Sequence, residues 1–364
     1  MPPWPETFVN TAGDRDALVR IASLYNFSPR TLYELADRHG SASRSLEAIF
    51  DGEAGSSADR ERLRSVDTEA VARQVVGCGA RLVTPSDGEY PAALEDLVDP
   101  PALLFVRGRS LATLYPRVAV VGSRRCTRTG AELSRRIGAG LARAGVTVVS
   151  GGAIGIDGQS HKGALTEEGP TLAVLGCGID VAYPPSHRAL LQEIETAGAL
   201  VSEYPPGVRA EPFRFPARNR IIAALAEGVV VVEGAAGSGS LITTRHALDL
   251  GREVFAVPGS VIHPLSEVPL ALIRDGARLI RGADDLLLDL RRLDPQTGTV
   301  KPPDLSNRER AVLDALAVQT LPEKIAEQLG WEVGETLGAL VGLEMRGLVR
   351  SAGGRFELRL APSA

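Results

Sequence analysis

Residues 118–130, VAVVGSRRCTRTG, lead from four apolar residues through a glycine-containing loop to a helix that we predict over residues 129–144. Thr129 and Glu132 have the spacing of a capping box, which marks a helix start. A second apolar run follows and ends in another glycine-rich stretch, SGGAIGID at residues 150–157. Strand, loop and helix in repeated order are typical of a parallel sheet with helical crossovers. This stretch therefore predicts a Rossmann-like α/β fold.

The same alternation continues on both sides, over residues 79–290, which we predict to form one extended Rossmann-like domain with a doubly wound sheet. The predicted strands are residues 118–121, 146–150, 172–175, 200–202, 229–233 and 254–257. Their nearly continuous apolar character suits strands that are buried on both faces. An extended segment at residues 90–101 is expected to lead into the first of them.

Residues 1–78 are predicted to form a helical domain, because apolar residues between Leu18 and Ala36 recur at helical spacing. Ser28 followed by Pro29 is a typical helix start, and Gly40 is a typical helix end. Two short helices joined by a tight turn are similar to a helix-hairpin-helix or sterile-alpha-motif (SAM) module. A lid or a dimerisation element fits the same pattern equally well.

The C-terminal part is predicted to be a winged-helix domain over residues 305–364, after a proline-rich polar linker at residues 291–304. Helices are expected at residues 306–317, 322–329 and 333–346, followed by a β-hairpin at residues 347–358. In DNA-binding versions of this domain the third helix enters the major groove with basic side chains. Here that helix is acidic to neutral, which favours a protein-contact or regulatory module over a duplex reader.

The composition excludes several classes of protein. The chain has 364 residues and three widely spaced cysteines without a CxxC pair, which argues against a disulfide framework or a zinc site. No apolar run approaches the roughly 20 residues of a membrane span, and the N-terminus has no secretory signal. We therefore expect a soluble, cytoplasmic protein with no membrane partner and no bound metal.

The net charge of −5 conceals a local concentration of arginine. Residues 117–143 contain seven arginines and one acidic residue, and the whole chain contains only three lysines. GC-rich coding would produce the same bias. In either case the cationic sites are guanidinium groups, which bind phosphate as planar forks and stack on bases.

Loops at four predicted strand ends carry residues that suit an anion; one of the four is the stretch at residues 213–220. In an open α/β sheet such loops meet at one crevice, where helix N-termini favour phosphate. A glycine there permits close backbone approach, a serine donates a hydrogen bond, and successive backbone N–H groups form a nest. The alternative is that Gly122 serves only a tight turn. The residues assigned to the other three loops are Gly122, Ser123, Arg124, Gly152, Ser238 and Ser240.

Asp157 and His161 follow the second loop at a spacing that places them on one helix face. They would form an acid–base pair in a catalytic interpretation. No serine or cysteine stands where a nucleophile would be expected, and His–Asp pairs at this spacing are commonly structural. The non-catalytic interpretation is favoured.

Residues 213–220, FRFPARNR, alternate aromatic and cationic side chains before a helix predicted at residues 221–226. Aromatic rings that stack on bases beside arginines that contact phosphates are typical of single-strand binding. In the alternative interpretation one phenylalanine belongs to the hydrophobic core, and the arginines form ion pairs with Glu203 or Glu233. The residues assigned to binding are Arg214, Phe215, Arg218, Asn219 and Arg220.

The chain resembles the DprA/Smf family, the DNA-processing proteins of bacterial natural transformation. The resemblance covers residues 90–280 and is carried by these stretches: YPAALEDLVDPPALLFVRG, VAVVGSRRCTRTG, SGGAIGIDGQSHKGAL, LGCGIDVAYP, SEYPP, FPARNRIIAALAEGVVVVEG, SGSLITTRHALDLGREVFAVPG and DGARLI. It implies a non-enzymatic protein without a cofactor that binds and protects single-stranded DNA and helps to load the RecA recombinase onto it. It also implies a homodimer formed through the Rossmann-like domain, and it carries the residues assigned above as the DNA site.

One departure and two alternatives stay open. After Pro258 and Gly259 the family usually has a Ser-x-Gly-x-Asn stretch, whereas residues 266–270 are SEVPL. A nucleotide-processing enzyme of the phosphoribohydrolase type would use paired acids, for which Asp157 and Glu203 are the candidates. An NAD-binding module is disfavoured because no GxGxxG follows Val121.

Overall fold

Five helices precede the sheet in the computed structural model, which describes residues 4–24, 27–290, 305–316, 318–346 and 348–358. They are α1 Ala12–Ala22, α2 Pro29–His39, α3 Ala42–Asp51, α4 Ser57–Ser65 and α5 Thr68–Gly77. The Ser28 hydroxyl caps α2, and Gly40 ends it with φ 79°, as predicted. Only two helices were expected. Helices α3, α4 and α5 were therefore not predicted. The last two give little apolar signal, because each buries a single residue, Leu63 in α4 and Val75 in α5.

Nine strands form the central sheet, in the order β1-β2-β6-β5-β4-β3-β7-β8-β9. From β6 to β9 all neighbours are parallel, whereas β1 and β2 pair antiparallel at one edge. The predicted doubly wound, Rossmann-like sheet is confirmed. The strands are β1 Arg81–Val83, β2 Leu104–Gly108, β3 Arg117–Val121, β4 Thr147–Ser150, β5 Thr171–Val174, β6 Ala199–Ser202, β7 Gly228–Val231, β8 Glu253–Ala256 and β9 Arg278–Leu279.

Strand β3 shows why the sheet is buried on both faces. Val118 and Val120 pack into the apolar cluster on one side, and Ala119 and Val121 pack into the cluster on the other side. Successive side chains of a strand point to opposite faces, so an all-apolar strand needs a helical layer on each face. The N-terminal helices add to the core, because Leu18 and Leu35 belong to one cluster with Phe105 of β2.

Seven helices connect and flank the strands: α6 Arg128–Arg143, α7 Ile156–Thr166, α8 Arg188–Ala197, α9 Arg214–Leu225, α10 Gly239–Asp249, α11 Glu267–Arg274 and α12 Ala283–Asp289. The predicted capping box of α6 is wrong. Thr127 caps this helix by accepting a hydrogen bond from Gly130 N at 2.9 Å. Glu132 instead forms ion pairs with Arg135 and Arg136.

The arginine-rich stretch contributes less free positive charge than its composition indicates. Arg117 is fully buried and donates to the carbonyl oxygens of Leu111 and Leu114. Three further arginines pair with nearby glutamates, Arg135 and Arg136 with Glu132 and Arg143 with Glu167. Among the described residues, Arg124, Arg125 and Arg128 are the members of this stretch that are exposed and form no ion pair.

The winged-helix domain is confirmed by α13 Asn307–Leu316, α14 Pro322–Leu329, α15 Val333–Met345 and the antiparallel hairpin β10 Val349–Ala352 and β11 Arg355–Leu358. The predicted linker at residues 291–304 and Gly347 of the predicted hairpin lie outside the described residues. In the parts of the chain described, no helix is both long and apolar enough to cross a membrane.

The hairpin of the winged-helix domain packs against a short 3-10 helix, Ala92–Asp96, that precedes β2. Arg355 pairs with Glu95 at 3.3 Å, and both side chains are almost completely buried. The Glu357 carboxylate accepts hydrogen bonds from the Tyr115 hydroxyl at 2.6 Å and from Ala93 N at 3.3 Å. The wing therefore contacts protein, through buried charged groups that are paired across the two domains.

Candidate nucleic-acid interface

A crevice of about 900 Å³ opens where the loops after β3, β4 and β7 meet. From β3 the chain passes to β4, β5 and β6 on one side and then returns to β7 on the other side. The crevice therefore lies at the topological switch point, at the carboxyl ends of the strands, which is where open α/β sheets bind ligands. The predicted convergence of loops is found here.

Two glycines let these loops pack against each other. A Cβ at Gly122 would come within 2.8 Å of the Glu233 carbonyl oxygen. Gly155 has φ 85°, and a Cβ there would come within 2.3 Å of the Ser123 carbonyl oxygen. Ser123 N donates to that Glu233 oxygen at 2.8 Å. Gly122 therefore has the structural role that the alternative interpretation gave it. Its close packing fixes the position of the loop that carries Arg124.

Arg124, exposed on this loop, lies with its guanidinium carbon 4.9 Å from the centre of the Phe215 ring. The Tyr183 ring lies 5.1 Å from the Phe215 ring and is tilted against it. Tyr183 is 40% exposed, and all three side chains line the crevice. A guanidinium beside two aromatic rings provides both a phosphate ligand and a stacking surface for bases.

Arg218 lies beneath the crevice and is 4% exposed. Its Nη1 donates to the carbonyl oxygens of Gly151, at 2.8 Å, and Val174. The Asp157 carboxylate accepts from Gly151 N at 3.2 Å. Arg218 therefore ties the loop after β4 to the end of strand β5, and its positive charge acts on the crevice from below.

Burial shifts the pKa values of both Arg218 and Asp157. Burial lowers the pKa of Arg218 to about 10, so the guanidinium remains protonated at neutral pH. Burial also raises the pKa of Asp157, an effect that the positive charge of Arg218 and two backbone N–H groups oppose. The crevice floor thus keeps a fixed cation with a carboxylate nearby.

The N-terminus of α10 supplies the polar wall. Ser238 caps the helix by accepting from Ser240 N at 3.3 Å, and the two hydroxyl oxygens lie 2.8 Å apart. Asn219 connects this wall to α9 by donating from Nδ2 to the Gly239 carbonyl oxygen at 3.2 Å. A helix N-terminus with hydroxyl groups at its first turn favours a negatively charged ligand.

Three assigned residues do not line the crevice. Arg220 pairs with Asp99 at 2.9 Å and Glu203 at 2.7 Å on the far side of α9, as the alternative interpretation expected for Glu203. Arg214 is buried over the Tyr204 ring, with 5.1 Å from its guanidinium carbon to the ring centre. Gly152 is buried too, and its carbonyl oxygen contacts His187 Nδ1 at 3.0 Å.

The helix assignment explains these positions. Helix α9 begins at Arg214, seven residues before the predicted start at residue 221. Most of FRFPARNR is therefore helical, and residues three or four apart share a face. Phe215, Arg218 and Asn219 face the crevice, whereas Arg220 faces the opposite side.

Sequence reasoning missed Arg125, Tyr183 and residues 263–265, all of which line the crevice. Arg125 adjoins Arg124 in the same loop, so its charge alone was a usable signal. Tyr183 follows β5 in the stretch LGCGIDVAYP, and an aromatic residue after a predicted strand was also a signal. No local pattern marks residues 263–265, which reach the site only through the loop after β8.

The structure does not assemble an acid–base pair from Asp157 and His161. The His161 ring is fully buried, contacts Thr171 Oγ1 at 2.7 Å, and has its pKa lowered to about 3 by burial. It is therefore neutral and turned away from the crevice. Within the described residues, no group of three or more His, Cys, Asp or Glu side chains is placed to hold a metal ion.

Two family models match the chain. The family described as DNA recombination-mediator protein A matches residues 81–291, and the DprA winged helix domain matches residues 296–355. The DNA processing protein DprA of Streptococcus pneumoniae is 44% identical over 203 residues, covering 56% of this chain and 72% of the relative. Protein Smf of Escherichia coli is 40% identical over 289 residues, covering 76% and 77%.

Solved structures agree with these matches. The crystal structure of S. pneumoniae DprA superposes with a TM-score of 0.68 at 33% identity, covering 77% of this chain and 99% of that one. DNA processing protein A of Helicobacter pylori, described for its single-stranded DNA binding mode, superposes with a TM-score of 0.52 at 28% identity, covering 57% and 93%. Sequence, domain order and fold thus lead to one conclusion: the chain belongs to the DprA/Smf family of DNA-processing proteins.

Proposed function

We propose that the crevice binds single-stranded DNA and protects it. The observation that carries this proposal is the placement of Arg124, exposed and without an ion pair among the described residues, beside the rings of Phe215 and Tyr183. The guanidinium neutralises a phosphate while the rings stack on neighbouring bases. The H. pylori relative, described for single-stranded DNA binding, supports the same ligand.

The rings of Phe215 and Tyr183 indicate which form of DNA the crevice binds. Stacking on Phe215 and Tyr183 requires the face of an unpaired base, and in a duplex those faces are covered by neighbouring base pairs. The wing hairpin, which would otherwise be free to contact a duplex, is docked against residues 92–96. Both features favour a single strand over a duplex.

The protein is proposed to act as a binding protein rather than as a nucleotide-processing enzyme. The two candidate acids lie in different sites, because Asp157 lines the crevice and Glu203 lines a separate cavity with Arg220. A paired-acid mechanism needs both groups within reach of one substrate. Their separation supports a role in which the protein holds the strand and releases it chemically unchanged.

Family membership supports the remaining parts of the proposal. As a member of the DprA/Smf family, the protein is proposed to help load the RecA recombinase onto the bound strand during natural transformation and homologous recombination. It is proposed to do so as a homodimer formed through the Rossmann-like domain. Light scattering and a RecA filament-assembly assay on strands coated with single-strand binding protein test these two parts separately.

The DNA-binding site is tested with a charge reversal and a matched control. Arg124→Glu is expected to weaken single-strand binding by at least about tenfold, since it removes a charge-assisted phosphate contact and adds repulsion. Arg44→Glu, an exposed arginine on α3 that forms no ion pair among the described residues, is the control and should bind as the wild type does. Equal affinities of all three proteins in fluorescence anisotropy would refute the assignment of the crevice.

A further inference from the structure

A second cavity, of about 360 Å³, lies between the N-terminal helices and α9, and the crevice lies on the other side of α9. Its walls include Leu18 of α1, Leu32 of α2 and the aromatic rings of Tyr204 and Phe213. Phe213 is 50% exposed. The volume falls within the range of about 300–1,000 Å³ that is usual for small-ligand sites, and the walls suit a flat apolar ring.

One polar side chain of the cavity has a free donor. Arg220 is 95% buried and lines the cavity, and among the described residues its Nη1 has no hydrogen-bond partner. A buried donor left without an acceptor costs free energy. A ligand that offers an acceptor at this point would remove that cost.

The charges around Arg220 determine what kind of ligand fits. Its Nε and Nη2 are already bonded to the carboxylates of Asp99 and Glu203, at 2.9 Å and 2.7 Å. Two carboxylates against one guanidinium repel a phosphate or another anion. The cavity therefore suits a neutral ring with a carbonyl oxygen or ring nitrogen as acceptor, which is the chemistry of a nucleobase without its backbone.

The cavity and the crevice are joined through α9. Phe213 lines the cavity and Phe215 lines the crevice, two residues apart. The buried Arg214 guanidinium carbon lies 5.2 Å from the Phe213 ring centre and 5.1 Å from that of Tyr204, and so holds both rings in place. A strand in the crevice needs to pass only the start of α9 to place its next base over Phe213.

We propose that the cavity takes one unpaired base of the DNA strand whose neighbouring nucleotides lie in the crevice. The ring of this base packs between Phe213, Tyr204 and the N-terminal helices, and its acceptor meets Nη1 of Arg220. Its phosphate stays outside, away from Asp99 and Glu203. This proposal rests on the proposed single-strand binding of the crevice and gives the N-terminal helical domain a direct part in holding DNA.

The test combines a substitution in the cavity with the removal of single bases from the strand, in the manner of a double-mutant cycle. Ala217→Leu narrows the cavity at an exposed position of α9 that does not line the crevice, and Ala72→Leu, at an exposed position of α5, is the matched control. The probe is the shortest oligothymidylate that the wild type binds with full affinity, so that the strand has one register. Each position is replaced in turn by an abasic site, and affinities are measured by anisotropy.

One abasic position is expected to weaken binding by about tenfold in the wild type and in Ala72→Leu, which is the usual size of a lost stacking contact. Ala217→Leu should bind the intact strand as weakly as that abasic strand and should show no further loss at this position. If every abasic position weakens Ala217→Leu as much as the wild type, the cavity takes no base, although binding by the crevice stands. If the wild type binds no single strand at all, the proposed function fails as well.

Discussion

The guanidinium carbon of Arg124 lies 4.9 Å from the centre of the Phe215 ring, although 91 positions of sequence separate the two residues. The β3 loop supplies the charge and the first turn of α9 supplies the ring. The contact restricts an otherwise mobile arginine to one side of the crevice. The positive charge of Arg124 and the stacking surface of Phe215 therefore lie side by side, where one strand can contact both.

This contact predicts that Arg124 and Phe215 act together in binding. Arg124→Ala and Phe215→Ala should each weaken single-strand binding, and the double variant should lose less than the sum of the two free energies. We expect a coupling free energy of about 0.5–2 kcal/mol, the usual value for a cation–π pair. Strictly additive losses in anisotropy titrations would mean that the two groups act separately.

Tyr183 is predicted to stack on a base. Tyr183→Ala should weaken single-strand binding by about 1–3 kcal/mol, the usual cost of losing a stacking ring. Tyr183→Phe keeps the ring and removes only the hydroxyl, so it should stay close to wild-type affinity. Equal losses in the two variants would indicate that the hydroxyl, and not the ring, contacts the strand.

Arg218 is predicted to matter first for folding. Arg218→Ala leaves Asp157 and the carbonyl oxygens of Gly151 and Val174 without their buried partner. The free energy of unfolding should fall by about 3–5 kcal/mol, measured by urea denaturation. The exposed Arg124→Ala should change it by no more than about 0.5 kcal/mol. A fully stable Arg218→Ala that has lost DNA binding would instead make Arg218 a direct DNA contact.

The docking of the winged-helix domain is predicted to weaken as the pH rises. Burial raises the pKa of Glu95 from 4.5 to about 7, against the opposing effect of Arg355. The folded protein therefore holds this proton more tightly than the unfolded chain does. The resulting stabilisation, about 3 kcal/mol, is fully present below pH 4.5 and is lost as the pH rises through 7.

Thermal or urea unfolding between pH 5 and pH 8 measures this effect. Glu95→Gln cannot titrate, so its stability should change less over this range than that of the wild type. Glu34→Gln removes an exposed glutamate that pairs with Arg30 and serves as the control. If Glu95→Gln and the wild type have the same pH profile, Glu95 titrates at its ordinary pKa.

Local patterns were enough to predict the parallel sheet and the winged helix. Apolar strands, glycine loops and helix caps such as Ser28 depend on neighbouring residues, so the sequence displays them directly. Strands β1, β2 and β9 were not predicted. Strand β1 has three residues and β9 has two, so neither shows the buried run that marks the inner strands. Strand β2 does contain buried apolar residues, 104–106, which were a signal that the prediction missed.

The site was harder to predict, because burial decides what an arginine does. Within FRFPARNR, Arg218 and Arg220 look equivalent to any exposed cation. Their partners come from distant segments, Gly151 for Arg218 and Asp99 and Glu203 for Arg220. No local pattern reveals those contacts. Arg124 could be predicted because it follows the end of a predicted strand, where side chains reach the crevice. Phe215 could be predicted because aromatic and cationic residues alternate in FRFPARNR.

The central claim is that the crevice prefers a single strand because its rings need unpaired bases. The most direct test is a competition titration at about 150 mM salt, in which a labelled oligothymidylate bound to the wild type is displaced by unlabelled single strand or by duplex of the same length. The single strand should displace the probe at a concentration at least about tenfold lower than the duplex. Displacement by both DNAs at the same concentration would contradict the account.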